Sequence, residues 1–577
     1  MSLLHKIKTE LASQINVGLK KQGTVSAADF VFPPNPDMGD LSLPCFGLSK
    51  NLKQSPNEVA SFLVGKIKAD GFIQGVRTAG PYLNITFNKN EVTRELFKEI
   101  FKAKEGFGTN KNGKKQGVMI EYSNANTHKE YHIGHLRNIA YGDAVNRLVA
   151  ANGFEAIPVS YINDFGIHVA KTLWWLINPE NRENLDNTDV DKLPSKGGYL
   201  AKTYAGSTAA LADNPEAKDE VGRVMQQIES RKGEIYELWQ QTRQWSIDQF
   251  AKIYKELGVE FKDTFYENEF IEAGMKKVAE LYEKHFLKRS EGAIIADLEK
   301  FNLGVLMFLR SDGTALYPVA DLPLAIAKFE KYKIKKSIYV VDIRQGLYFK
   351  QLFKVLEQMG YKQELVHLGY DFVKLPEGMM ASRTGNVVTY DDLKRKMVEN
   401  ARQSTKEKHP DWTAEQIEMV AKKIALGAMK FEMIKVGRDK TITFELEKAM
   451  RFDGFTAAYL QYAYARIQSI LRKAESSNLK FKILNLKLEH PKEQELATKL
   501  MKYPEIVAVA GEQYEPSEIA KYLFELAQQF NDYYHEVPVM KEEDGLVRES
   551  RLSLLRAVSQ VLANGLDLLG VEVVEEM

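Results

Sequence analysis

One cysteine, Cys45, in 577 residues leaves no partner for an internal disulfide and no thiolate set for a structural zinc. Long apolar runs are also missing. None approaches the ~20 residues that cross a bilayer, so no membrane-spanning helix is expected. The start, Met1 to Lys8, is charged and periodic, unlike a secretory leader, and a reducing cytoplasm is the expected compartment. Net charge is almost absent, with 79 Lys plus Arg against 78 Asp plus Glu giving +1. That balance neither requires nor excludes nucleic acid, because a large polyanion needs basic faces, not a basic average. Repeats and low-complexity tracts are lacking as well. What remains is a globular composition, 44% apolar and 27% charged, on a chain long enough for several domains.

The first part, 1–104, opens with Leu4, Ile7, Leu11 and Ile15 at helical spacing. It turns through Pro33, Pro34 and Pro36 and closes on an alternating strand, Tyr82 to Phe87, which predicts a small α+β module. Val118, Met119 and Ile120 begin a different pattern over 105–400. Short apolar runs, including Ser337 to Ile343 and Glu364 to Leu368, alternate with amphipathic helices. That alternation predicts an α/β domain with a doubly wound, Rossmann-like parallel sheet. A polar, mostly helical stretch, 178–300, reads as an insertion into it. After Tyr390 strand patterns nearly vanish. A helical connection, 401–455, leads to an all-α bundle, 456–577, with stripes Ala463, Ile467, Ile470, Leu471 and Leu555, Val558, Leu562, Leu566, Leu569.

Chemistry concentrates in Ala125, Asn126, Thr127, His128, Lys129, Glu130, Tyr131, His132, Ile133, Gly134 and His135. This run follows a strand and enters a helix that ends near Asn152 and Gly153. A strand-to-helix turn aims backbone N–H groups and the positive dipole end at an anion. A glycine permits close approach, and imidazole N–H groups can donate to phosphoryl oxygens. A chance pair of histidines is the plain alternative. A His-x-x-His metal site lacks a suitable third ligand nearby.

These residues resemble the His-Ile-Gly-His element of class I aminoacyl-tRNA synthetases. The flanks Glu121, Ser123, Asn126, Lys129, Arg137, Gly142 and Asp143 are similar to the arginine-specific branch. Further matches follow in order: Asp312 to Thr314 with Tyr317 and Asp321, Gln345 with Phe349, His367 to Gly369, Met380 to Gly385, Tyr459 to Arg466, and Asn564 to Gly570. The resemblance covers essentially the whole chain.

It implies an arginine–tRNA ligase that uses ATP, with Mg²⁺ carried on the nucleotide and no zinc, to activate L-arginine. The arginyl group would then pass to the terminal adenosine of an arginine-specific tRNA, with activation efficient only when tRNA is present. It also implies a monomer. Glu121, Tyr317 and Asp321 would meet the guanidinium, and Asn126 and Gln345 the α-amino end, with Ser123 beside them. ATP would lie against His132, Gly134, His135, His367, Gly369, Ser382 and Arg383. The second phosphate element carries Arg383 but lacks the usual second lysine, and Lys129 stands where arginyl enzymes are thought to compensate. Lys129, His132, His135 and Arg383 are therefore the expected catalytic groups.

A guanidinium presents five donors in a planar fork, so a selective pocket needs carboxylates. With a helix starting near Pro318, Tyr317 and Asp321 share one face. A related class I enzyme of cysteine or glutamate specificity would want zinc ligands or cations instead, and a non-catalytic tRNA-binding paralogue would not need both histidines. The first domain resembles the module that contacts the tRNA elbow, with Asn84 as a contact. The bundle resembles an anticodon-binding domain, where Tyr459, Tyr462 and Arg466 would meet exposed bases, with Tyr464, Arg472 and Lys473 nearby. Departures from the family pattern include Tyr348 for histidine, Phe165 for tryptophan and Glu445 for aspartate.

Overall fold

The computed structural model describes residues 2–20, 22–181, 183–214, 217–376, 388–477, 479 and 486–577. The opening helix, Leu3–Leu19, is capped by Ser2 and buries the predicted stripe of Leu4, Ile7, Leu11 and Ile15. Tyr82–Phe87 is the central strand of an antiparallel three-stranded sheet, between Leu41–Pro44 and Ile73–Ala79. This is the expected α+β module.

Five parallel strands form the central sheet, in the order Glu364–Tyr370, Lys336–Asp342, Gly117–Glu121, Glu155–Ile162, Asp263–Tyr266. Helix Ile133–Ala151 makes the crossover between the third and fourth of these. Side chains alternate across the sheet: Val118 and Ile120 join the core beneath the crossover helix, while Met119, Ile157 and Val159 join a second core on the other face. The strand order reverses between Gly117–Glu121 and Lys336–Asp342. Ligands of such sheets bind at that switch point, beyond the strands' carboxyl ends.

The stretch 178–300 divides in two. Helices Lys196–Asp213, Ala217–Glu229 and Glu234–Glu256 pack with Ile167–Ile177 around their own core of Leu173, Leu200, Val221 and Trp239. The chain then returns to the central sheet as Asp263–Tyr266. It continues through helix Glu267–Glu283 and an antiparallel trio, Lys288–Ser290, Ala293–Asp297 and Val305–Leu309. A four-residue edge strand with only Phe265 buried carries too little apolar periodicity to be read in advance.

Beyond it, helix Tyr390–Lys408 runs through the boundary expected at 400, and Ala414–Ile434 packs on the crossover helix. Helices Ala457–Ser476, Pro491–Gln513, Pro516–Glu536 and Gly545–Leu568 form the bundle, with both predicted stripes buried. The N-terminal module docks on this bundle. Lys8 pairs with Glu505 at 2.8 Å, and the Asn564 amide donates to the carbonyls of Lys104 and Phe107 at 2.9 and 3.1 Å. No described helix is long and apolar enough to cross a membrane.

Candidate active site

A cleft of about 870 Å³ opens at the switch point, lined among others by Glu121, Asn126, His132, Gly134, His135, Tyr317, Asp321 and Gln345. These eight residues, all singled out from the sequence, come from three separate segments. Its size suits a small-molecule site.

At one end, His132 and His135 open the crossover helix. Nδ1 of His132 accepts from the Gly134 N–H at 3.0 Å, and Nδ1 of His135 accepts from the His132 N–H at 3.2 Å. Each ring's acceptor nitrogen is thereby engaged, so a neutral ring carries its proton on Nε2. The rings stand 3.9 Å apart. A Cβ at Gly134 would lie 2.9 Å from Cε1 of His132, so only glycine allows this arrangement. Burial, then the charge of Lys129, lowers the His132 pKa to about 4. Burial, His132 and Lys129 push His135 well below its ordinary value. The imidazoles are therefore neutral N–H donors rather than cations.

Lys129 carries charge on this side, its ammonium over the Tyr204 ring at 5.2 Å. The other motif residues build the turn. His128, at φ 62°, bonds to Thr127 and Thr242 at 2.9 and 2.8 Å and is held neutral by burial. Ala125, Tyr131 and Ile133 are buried. Gly369 closely approaches Ile343, where a Cβ would lie 3.1 Å from its Cα. His367 does not line the cleft; it stacks at 5.0 Å on Phe349, which does. Ser382 and Arg383 lie outside the described residues.

At the other end, Glu121 closes its strand and Asp321 sits in the first turns of helix Tyr317–Tyr332. The two carboxyls share the cleft, but they are engaged differently. Glu121 is gripped by the buried ammonium of Lys328 and accepts from Asn124 at 3.2 Å. Removing one partner of such a pair would leave an uncompensated buried charge, a cost of about 3–5 kcal/mol. Asp321 accepts from the Tyr348 hydroxyl through Oδ2, while its buried Oδ1 makes no well-formed hydrogen bond, although the Tyr161 hydroxyl lies near enough to the carboxyl to favour its charge. Burial, opposed by the Tyr348 bond and reinforced by the Glu121 charge, raises the Asp321 pKa to about 6. The Asn124 carbonyl is also buried without a partner, and the buried Tyr161 and Tyr339 hydroxyls make no well-formed hydrogen bond, all three on cleft-lining residues. Unsatisfied polar atoms converging on one cavity are what a donor-rich ligand would complete. Glu267, donor-bonded by Asn163 at 3.2 Å, is lifted to about 8 by burial and so is protonated at neutral pH.

Similarity to known proteins agrees with this geometry. Residues 97–446 match the class I (R) tRNA synthetase catalytic domain, 460–577 the DALR anticodon binding domain, and 3–87 the arginyl tRNA synthetase N terminal domain. The arginine–tRNA ligase of Bdellovibrio bacteriovorus is 38% identical over 556 residues, covering 95% of this chain and 94% of its own. That of Clostridium perfringens is 34% identical, covering 94% and 95%. The Thermus thermophilus arginyl-tRNA synthetase structure superposes with a TM-score of 0.81 at 28% identity, covering 99% of this chain and all of its own. The chain belongs to the arginyl-tRNA synthetase family.

Within that family assignment, several expected contacts move. Ser123 is 1% exposed and faces away from the cleft, its hydroxyl bonded to Tyr131 and Tyr254 at 3.1 and 2.9 Å. A φ of 56° at Ser123 turns it into the core. Asn84 is buried in its sheet, which removes it from any surface that a tRNA could touch. Tyr459, Tyr462 and Arg466 do come together, through Asn531. Tyr459 accepts from Asn531 at 2.7 Å, and Arg466 donates to Asn531 at 3.1 Å and to Tyr462 at 2.7 Å. Tyr464 is instead buried against Glu575, and Arg472 is paired with Glu576.

Sequence reasoning missed Lys328, Tyr161 and Tyr339, and it singled out Tyr348 only as a departure. Lys328 looks like any helix lysine. Only its position seven residues after Asp321, on the same face, could have pointed inward.

Proposed function

We propose that this chain binds L-arginine with its guanidinium at Asp321 and its carboxylate toward His132 and His135, where ATP, carried with Mg²⁺, lies. An arginine carboxylate oxygen attacks the α-phosphorus, the bond to pyrophosphate breaks, and arginyl-adenylate forms. The terminal ribose hydroxyl of an arginine-specific tRNA then attacks the acyl carbon and AMP leaves. The chain's residues act mainly by position. Tyr348 and Tyr317 frame Asp321, Asn126 and Gln345 face the amino end, and two neutral Nε2–H donors with the Lys129 charge meet the phosphates.

One observation carries the amino-acid assignment: a buried carboxylate oxygen that makes no well-formed hydrogen bond, in the same cleft as a histidine-capped helix start. Exchange of pyrophosphate into ATP, followed with and without cognate tRNA, tests it. Arginine-dependent exchange that rises strongly with tRNA is expected. Exchange driven equally by lysine or citrulline would overturn the pocket assignment, and exchange indifferent to tRNA would overturn the tRNA requirement.

A further inference from the structure

Lys328 stands seven residues after Asp321 on helix Tyr317–Tyr332, and it is 1% exposed. Its ammonium contacts one oxygen of Glu121, whose other oxygen accepts from Asn124. The rings of Phe265, Tyr339 and Tyr161 surround the ammonium at 5.3, 5.5 and 5.8 Å. Aromatic faces around a desolvated cation attract it through their ring quadrupoles. Both Glu121 oxygens are thus engaged within the chain, while Asp321 keeps one oxygen without a well-formed hydrogen bond in the same cleft.

Resting on the function proposed above, we infer that Lys328 is a specificity-setting positioning residue. It cancels and aims Glu121, so that the pocket offers arginine a single uncompensated negative charge, at Asp321. Two unpaired carboxylates beside one guanidinium would leave excess buried charge after binding. A buried Glu121 without its lysine would take up a proton or turn away, and the shape of the pocket would change. With Glu267 protonated at neutral pH, the sum over Glu121, Lys328 and Asp321 is the one charge that a guanidinium neutralises. Lys328 touches neither the reacting atoms nor, on this reading, the substrate. It acts through Glu121.

The test compares the parent chain with Lys328→Met, Lys328→Arg, Glu121→Gln and the Glu121→Gln/Lys328→Met double variant in arginine-dependent pyrophosphate exchange with tRNA. Lys328→Met should raise the arginine KM about tenfold or more, with kcat falling less than KM rises and the ATP KM moving less than about twofold. Lys328→Arg should return the arginine KM to within about threefold of the parent, because it restores the charge. The double variant should bind arginine better than Lys328→Met, because no unpaired charge remains. The inference is overturned if Lys328→Arg does not restore the arginine KM, or if the double loss equals the product of the single losses. Should Lys328→Met not fold, Lys328→Arg and the double variant decide, since neither leaves an unpaired buried charge. A parent with no exchange at all would sink the functional reading instead.

Discussion

At the amino-acid end of the cleft, charged or phenolic groups hold one another in pairs: buried Glu121 with buried Lys328, and half-buried Asp321 with half-buried Tyr348. At the nucleotide end, His132 and His135 are neutral rings fixed on a helix N-terminus, with the charge of Lys129 beside them. On the function proposed above, the same protein uses paired ions to choose its substrate and neutral donors to position the reaction. The difference follows from what each end must meet. A guanidinium brings one permanent charge that a carboxylate must answer, whereas a triphosphate arrives with its own metal and needs directed N–H groups.

The comparison breaks most visibly at Asp321. Asp321→Asn should lower kcat/KM for arginine by about 10³-fold or more, because a neutral, donor-bearing amide replaces the carboxylate that answers the guanidinium. The ATP KM should hardly move, and a loss that appears in the ATP KM would show that the two ends are not separable. Lys129→Ala should cost about 10²-fold in kcat while arginine binding, measured by equilibrium titration, stays within about threefold. Near-normal kcat would remove Lys129 from the reaction.

The smallest expected effect is on pH, and it sharpens the contrast between buried carboxyl and neutral imidazole. Burial raises the Asp321 pKa to about 6, and on the proposed function arginine binds the ionised form. Lowering the pH through 6 should therefore raise the arginine KM, by about tenfold for each further unit, and between pH 6 and 7, where Glu267 stays protonated, it should be nearly flat. The histidines, already neutral there, should add no inflection between pH 5 and 8. A KM independent of pH down to 5 would contradict the raised Asp321 value.

Much of this architecture was legible in advance. The helical stripe from Leu4 to Ile15, the strand Tyr82 to Phe87, the sheet runs near Val118 and Ser337, and the bundle stripes all follow from periodicity, because one buried face forces a repeat of the element's own pitch. The short strand Asp263–Tyr266 escaped because three of its four side chains are only partly buried. Of the site, the residues tied to a local turn were readable: His132, Gly134 and His135 act on one another within four positions. Glu121, Asp321 and Gln345 entered only through resemblance to the family. Their shared cleft depends on strands and helices that are distant in the chain.

The sequence by itself determined that this chain is a multi-domain arginyl-tRNA synthetase, since ordered local patterns survive without knowledge of contacts. Tertiary structure alone decided how the charges are partnered: that Glu121 is answered by Lys328, that Asp321 is propped by Tyr348 and left with an open oxygen, and that Ser123 and Asn84 face inward. Pairing is a matter of distance in space and of burial. Neither is written in the spacing of residues along one strand or helix.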